Sequence, residues 1–336
     1  MPIPPCTSGV MIIPTGLACS LGGDAAYNSG IKLIAECCDK LNINPNATNA
    51  SDIAEFPNNC LYVEGSIIDR FLEGVVNLQL VKDHNRILMV VNPPVLPANI
   101  NAANAGVWGL GADVTILELK TPLTMRAMIN PDGTAGGQVD GWQELVDQVF
   151  DLDFDALAIH TGIDFDPEIA DNYWRNGGVN PWGAVEAIGS KLIATDLNKP
   201  VAHAPIDFLS EPLYNKLIVK RSMSCEAISN TYCFCILKGL HRAPRVDIFM
   251  NPKNLNNYDM SFLLSPFNCW GRPHEACFYN GIPIIILKEN TTCFTNFVYP
   301  EKISCSKNII FVENYLEAAG VIMCMNAGVA YQTIIL

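Results

Sequence analysis

No apolar run in this chain approaches the ~20 residues that a helix needs to cross a bilayer, so no membrane span is expected. Positive charge is scarce. Lys and Arg number 21 against 34 Asp and Glu, for a formal net charge of −13. Nucleic-acid binding needs clustered cations, and only Lys220-Arg221 and the His241-Arg242…Arg245 cluster are locally basic, so no nucleic-acid partner is expected. No CxxC pair occurs, which argues against a zinc knuckle. The GxSxG elbow, the HExxH pair, the kinase set and the Walker and Rossmann fingerprints are missing as well. Gly106, Gly109 and Gly111 imitate a dinucleotide motif but precede a strand instead of following one, so they read as a turn. No catalytic residue, metal set or cofactor is assigned on these grounds.

What is present is a large apolar fraction, 49% of 336 residues, enough for one large domain or two modest ones. The 13 cysteines are odd in number and irregularly spaced, with Cys37 and Cys38 adjacent and Cys233 and Cys235 one residue apart. They read as reduced, buried thiols in a reducing compartment. Met1-Pro2-Ile3-Pro4-Pro5 does not pair a basic segment with an apolar one, so a secretory signal is not expected. The sequons at Asn46, Asn49 and Asn290 carry little weight without one.

Short apolar strands alternate with helices along the chain. Val10 to Ile13, Cys60 to Val63, Arg86 to Val91, Asp113 to Leu119, Ala156 to His160, Val201 to Pro205, Val246 to Met250, Gly281 to Leu287 and Ile309 to Val312 read as strands. Tyr27 to Leu41, Ala102 to Gly111, Trp142 to Phe150, Pro181 to Thr195 and a last helix opening at Asn314 read as helices. Asp24 is a plausible cap, and its carboxylate argues against a phosphate cradle at Gly22-Gly23. Asn42 to Pro57 reads as loop, and the last helix, apolar on nearly every side, as buried. Asp151, Asp153, Asp155, Asp164 and Asp166 read as a solvated acidic face. The pattern predicts an α/β fold of layered, mostly parallel sheets flanked by helices. Two lobes are expected, residues 10–135 and 140–336, divided at the glycine-rich stretch Met128 to Gly141.

The stretch from Asn59 to Phe71 is a short strand, a glycine turn and the start of a helix. Glu64 and Asp69 stand where open α/β sheets place ligand-facing groups. The plainer alternative is that Glu64 caps or pairs and that Asp69–Arg70 is a surface pair. Among the histidines His84, His160, His203, His241 and His274, His203 stands out, next to a strand end and near Asp207. Glu64, Asp69, His203 and Arg242 form a candidate remnant pocket.

Several motifs recur together: Ile13-Pro14-Thr15-Gly16, Leu61-Tyr62-Val63-Glu64-Gly65, Ala202-His203-Ala204-Pro205, Arg242-Ala243-Pro244 and Asn314-Tyr315-Leu316-Glu317-Ala318-Ala319-Gly320. In this order, over about residues 10 to 330, they resemble a conserved family of unknown function found in cyanobacteria and plastid-bearing eukaryotes. The chain departs from the pattern at Asp24-Ala25-Ala26, at Asn44 where many members have His, and at Asn180 where they often have Asp. An amide cannot carry a proton in acid–base catalysis, so a pocket inherited from that family would be impaired here. The divergent branch resembles the pyrenoid shell proteins of diatoms and related algae. That resemblance implies a non-catalytic, self-assembling sheet protein around the Rubisco condensate, in the pyrenoid of the chloroplast stroma. Its partners would be other copies of itself and the condensate. The five tryptophans are compatible with large self-contacts. The competing expectation is an enzyme or small-ligand binder whose pocket uses the four residues above.

Overall fold

Capping residues written in the sequence set many of the element limits. The structure is a computed structural model that describes residues 7–21, 28–45, 57–206, 232–295, 297, 299, 303 and 306–334. In chain order come β1 (Ser8–Met11), α1 (Asn28–Ala35), β2 (Lys40–Ile43), β3 (Cys60–Tyr62), α2 (Gly65–Leu72) and β4 (Asn77–Gln79). Next are β5 (Arg86–Val91), α3 (Pro97–Leu110), β6 (Asp113–Glu118), β7 (Thr124–Ile129), β8 (Ala135–Asp140) and α4 (Trp142–Val149). Then follow β9 (Ala156–Thr161), β10 (Ile163–Asp164), α5 (Pro167–Asn176), α6 (Gly183–Leu197), β11 (Val201–Pro205) and α7 (Tyr232–His241). The last are β12 (Arg245–Asp247), β13 (Met260–Pro266), α8 (Arg272–Asn280), β14 (Ile284–Leu287), β15 (Ile309–Val312) and α9 (Tyr315–Ala327). Pro97 and Pro167 open α3 and α5, where a missing N–H leaves no bond unmade. Asn314 caps α9 by accepting from the Glu317 N–H at 3.0 Å, and Gly328 ends it with φ of 66°.

Two parallel sheets carry the fold. The six-stranded sheet has the order β15-β14-β13-β1-β2-β3, and the four-stranded sheet has the order β11-β9-β5-β6. Every strand pair in both is parallel. The buried residues fall into three clusters that define five layers. α1 and α9 cover one face of the six-stranded sheet. α3 and α7 cover one face of the four-stranded sheet. Between the sheets, residues of α2, α4, α6 and α8 pack in one cluster that takes Val10, Leu263 and Ile284 from one sheet and Val90, Leu157 and Ile159 from the other. Strands buried on both faces explain the unbroken apolar runs Arg-Ile-Leu-Met-Val-Val and Ile-Ile-Ile-Leu.

The layered, mostly parallel α/β architecture is as the alternation of strands and helices predicts. The distribution of strands is not read from the alternation. The six-stranded sheet takes β1–β3 from one end of the chain and β13–β15 from the other, and the division expected at 135–140 coincides with β8. Met128 to Gly141 is therefore most of an antiparallel hairpin. Asn130-Pro131-Asp132-Gly133 is its turn, with Gly133 at φ of 85° and the Asn130 N–H donating to the Thr134 carbonyl at 2.7 Å.

Two expectations are corrected. Leu41 continues the apolar spacing of α1 but lies in β2, because hydrogen bonding to β1 and β3 outweighs that local pattern. α9 is not buried all round, since Leu316 and Met323, seven residues apart, are exposed on one face. In the acidic stretch Asp151, Asp153, Asp164 and Asp166 are exposed, as a solvated face requires, and some of its carboxylates also make structural bonds. Asp153 and Asp155 grip the Arg86 guanidinium, Asp155 also pairs with Arg245, and Asp166 caps α5. Gly22-Gly23, Asp24, Lys220-Arg221, and Asn46 and Asn49 lie outside the described residues.

Candidate functional site

A parallel α/β sheet places ligand-facing side chains past the carboxyl ends of its strands, beside the point where strand order reverses. In the four-stranded sheet that point lies between β5 and β9. β9 ends there in His160-Thr161, and the adjoining β11 carries His203. α6 begins nearby. The Asn180 side-chain oxygen accepts from the Trp182 and Gly183 N–H groups at 2.9 Å each, fixing the first turn that presents Glu186. Gly183 is required at this start, since a Cβ there would fall on Thr15 Oγ1 of the loop after β1.

These elements assemble a hydroxyl–imidazole–carboxylate line. His203 Nδ1 lies 3.1 Å from Glu186 Oε1, and His203 Nε2 lies 3.0 Å from Thr161 Oγ1. An ionised carboxylate only accepts, so Nδ1 carries a proton, and in the neutral ring Nε2 then accepts from the threonine hydroxyl. The line has the connectivity by which a base activates a hydroxyl nucleophile. Thr161 is 0% exposed, so the hydroxyl has no open path to a substrate in this conformation. Beside it, His160 Nδ1 lies 3.0 Å from the Asn99 side-chain nitrogen. Burial, with His203 close by, holds the His160 imidazole down at about 4, so it is neutral at neutral pH.

Glu64 and Asp69 sit elsewhere. Glu64 Oε2 caps α2, accepting from the Ser66 N–H at 2.8 Å, the Ile67 N–H at 3.1 Å and the Ser66 hydroxyl. Burial raises its pKa, against the lowering effect of those bonds. Asp69, further along the same helix, faces Arg272 Nη1 at 3.7 Å, and burial pushes its carboxyl up to about 6. Arg272 is held by Glu73 through bonds of 2.9 and 2.8 Å. Arg70 donates to Asn198 Oδ1 at 2.7 Å and keeps Nε and Nη2 buried without a hydrogen-bond partner. Glu64 is thus a helix cap, while Asp69 pairs with Arg272 and not with its neighbour Arg70.

Arg242 is exposed at the carboxyl end of α7, on the wall of a groove of about 830 Å³. The groove lies at the opposite end of the strands, where Lys40 opens β2 and Cys60 opens β3. The four candidates therefore occupy three places. Glu64 and Asp69 share α2, His203 belongs to the Thr161–Glu186 line, and Arg242 belongs to the groove. No hydrogen bond or ion pair among the described residues joins these three places.

Sequence reasoning missed Thr161, Glu186 and Asn99. Glu186 stands in Val185-Glu186-Ala187, one turn after Asn180-Pro181, and that placement was the available signal. Asp207, the neighbour expected for His203, lies outside the described residues. The amides at the divergent positions act on the backbone. Asn44 accepts from the Ile13 N–H at 2.9 Å and donates to the Ile13 carbonyl at 2.8 Å, and Asn180 caps α6. Seven of the described thiols, Cys19, Cys37, Cys60, Cys233, Cys235, Cys269 and Cys277, are buried as packing groups. Burial pushes Cys38, Cys233, Cys269 and Cys277 up to about 12, well away from a reactive thiolate.

No solved structure matches the chain. It is 29% identical over 337 residues to an uncharacterized lipoprotein of Synechococcus sp., an alignment that covers 96% of this chain and 91% of that protein. A family described as a protein of unknown function, DUF3326, matches residues 8–335. With that match running through both sheets and every residue of the candidate sites, the chain belongs to the DUF3326 family.

Proposed function

We propose that the chain is a structural subunit that assembles with copies of itself into a sheet, in the manner of the shell around the Rubisco condensate of an algal plastid. The observation that carries this reading is the presence of three separate exposed apolar surfaces. On α3, Ile100, Val107 and Trp108 share one face, and Trp108 is 89% exposed. On α9, Leu316 and Met323 form a second stripe, and Val329 and Ile334 are exposed beyond the end of the helix. These two helices lie in opposite outer layers of the fold.

The third surface gathers around β4 and β12. β4 and β12 pair through Asn77 and Asp247, and Asn257 and Asn280 both donate to the Leu72 carbonyl. These bonds bring together the neighbourhoods of exposed Val75, Ile248, Phe249, Tyr258 and Tyr279. Exposed apolar patches of this kind mark association surfaces. Unlike surfaces on opposite sides favour head-to-tail contacts, which extend into open arrays where the rotation does not close. The resemblance to the algal shell branch supports the same reading, and with it a place in the pyrenoid of the chloroplast stroma.

The test is sedimentation velocity over a range of protein concentrations. Wild-type protein is expected to form large species. Trp108→Glu and Phe249→Glu, which change exposed side chains only, are expected to reduce them to small particles. A wild-type chain that stays small throughout, or variants that assemble equally well, would count against the proposal.

A second reading, chemistry on a small molecule, rests on the Thr161–His203–Glu186 line. It takes second place because the hydroxyl is fully buried.

A further inference from the structure

The groove around Arg242 has features that the assembly reading does not use. It is lined by Lys40, Lys82, Lys238 and Arg242 against two carboxylates, Asp39 and Asp83, in a chain whose overall charge is −13. None of the four cations forms an ion pair or a side-chain hydrogen bond with another described residue. Among the described lining residues, cations outnumber carboxylates four to two.

A second feature points the same way. His241 lines the groove, is 8% exposed, and has an Nδ1 without a hydrogen-bond partner. Its ring is fixed by stacking on His84, with centroids 5.7 Å apart. A buried ring nitrogen without a partner carries a desolvation cost, and in the tautomer with the proton on Nδ1 it can donate to an anion close by.

Size and wall chemistry narrow the ligand. About 830 Å³ is within the range of small-molecule sites and far larger than a bare phosphate needs. Leu61, Leu80 and Leu110 add apolar wall beside the cations. A ligand that uses both has an anionic head and a compact, less polar body. Lysine and arginine are the usual partners of a phosphate head. We propose that this groove binds a small organic phosphate, with Lys238 and Arg242 as the principal head-group contacts. The groove is on the opposite side of β2 and β3 from the Glu64 end, and the inference stands whether or not the chain assembles.

Isothermal titration at low ionic strength tests it with AMP, adenosine and inorganic phosphate as separate probes. AMP is expected to bind to wild-type protein, with adenosine and inorganic phosphate each much weaker. In Lys238→Gln/Arg242→Gln, with the fold checked by circular dichroism, AMP affinity is expected to fall by about tenfold or more. Raising the salt should weaken AMP binding to wild type. Three results would each overturn the proposal: no AMP binding, unchanged affinity in the double variant, or inorganic phosphate binding as tightly as AMP.

Discussion

Buried ionisable side chains set how this fold answers to acid. His160 is held down at about 4 and His274 at about 3, each from an ordinary 6.5, because burial disfavours the imidazolium. His274 is locked between the Ser265 hydroxyl at 2.8 Å and the Gly271 N–H at 3.2 Å. Both rings take up protons more readily in the unfolded chain. Their contribution to stability is present above 6.5 and is lost as pH falls towards the folded values. Asp69 works in the opposite direction. Its carboxyl is raised from 3.8 to about 6, so it favours folding below 3.8, and that contribution is lost as pH rises through about 6. Glu64, whose carboxyl burial also raises, acts in the same direction as Asp69, so the histidines are isolated in Glu64→Gln/Asp69→Asn, where acidification from about pH 7 to about pH 5 is expected to cost about 3–4 kcal/mol. Urea unfolding at a series of pH values checks this. A flat profile, or a gain on acidification, would contradict the buried neutral state of the two rings. The fate of single residues was only partly legible in the sequence. Glu64 could be placed at a strand-to-helix junction from its neighbours, but whether it faces a ligand or its own helix depends on burial, which no local pattern reports. His203 was legible as a strand-end histidine, while its partners are 42 and 17 residues away.

Elements with capping residues were the most legible. Asn314 and Gly328 mark the ends of α9, and Pro97 and Gly111 mark those of α3, although the apolar spacing within α3 suggested only its second half. β13 was missed. Met-Ser-Phe-Leu-Leu-Ser-Pro does not alternate, yet it lies beside β1 at the reversal of strand order. The apolar character of β13 is explained by burial on both faces, a tertiary fact. The pairing of β1 with β13 makes a specific demand at Gly9. It stands opposite Phe262, and a Cβ there would fall on the Phe262 ring, which is fully buried. Gly9→Ala is therefore expected to destabilise by about 1–3 kcal/mol, measured by urea unfolding, because the buried ring must shift to admit the methyl group. An unchanged midpoint would mean that the ring yields without cost.

At the scale of the whole molecule, the chain interleaves its sheets. It starts the six-stranded sheet, leaves to build the four-stranded one, and returns to finish the first. One buried cluster then spans both. That long-range closure could not be read from local alternation, which gives the fold class but not which strands share a sheet. The result is a slab whose two outer layers each expose an apolar stripe, with a third patch around β4 and β12. A net charge of −13 opposes the approach of copies, so added salt is expected to promote assembly by screening it. The most direct measurement is negative-stain electron microscopy of the purified chain across salt and protein concentration. Sheets or tubes that grow with both are expected. Discrete small particles under every condition would contradict self-assembly.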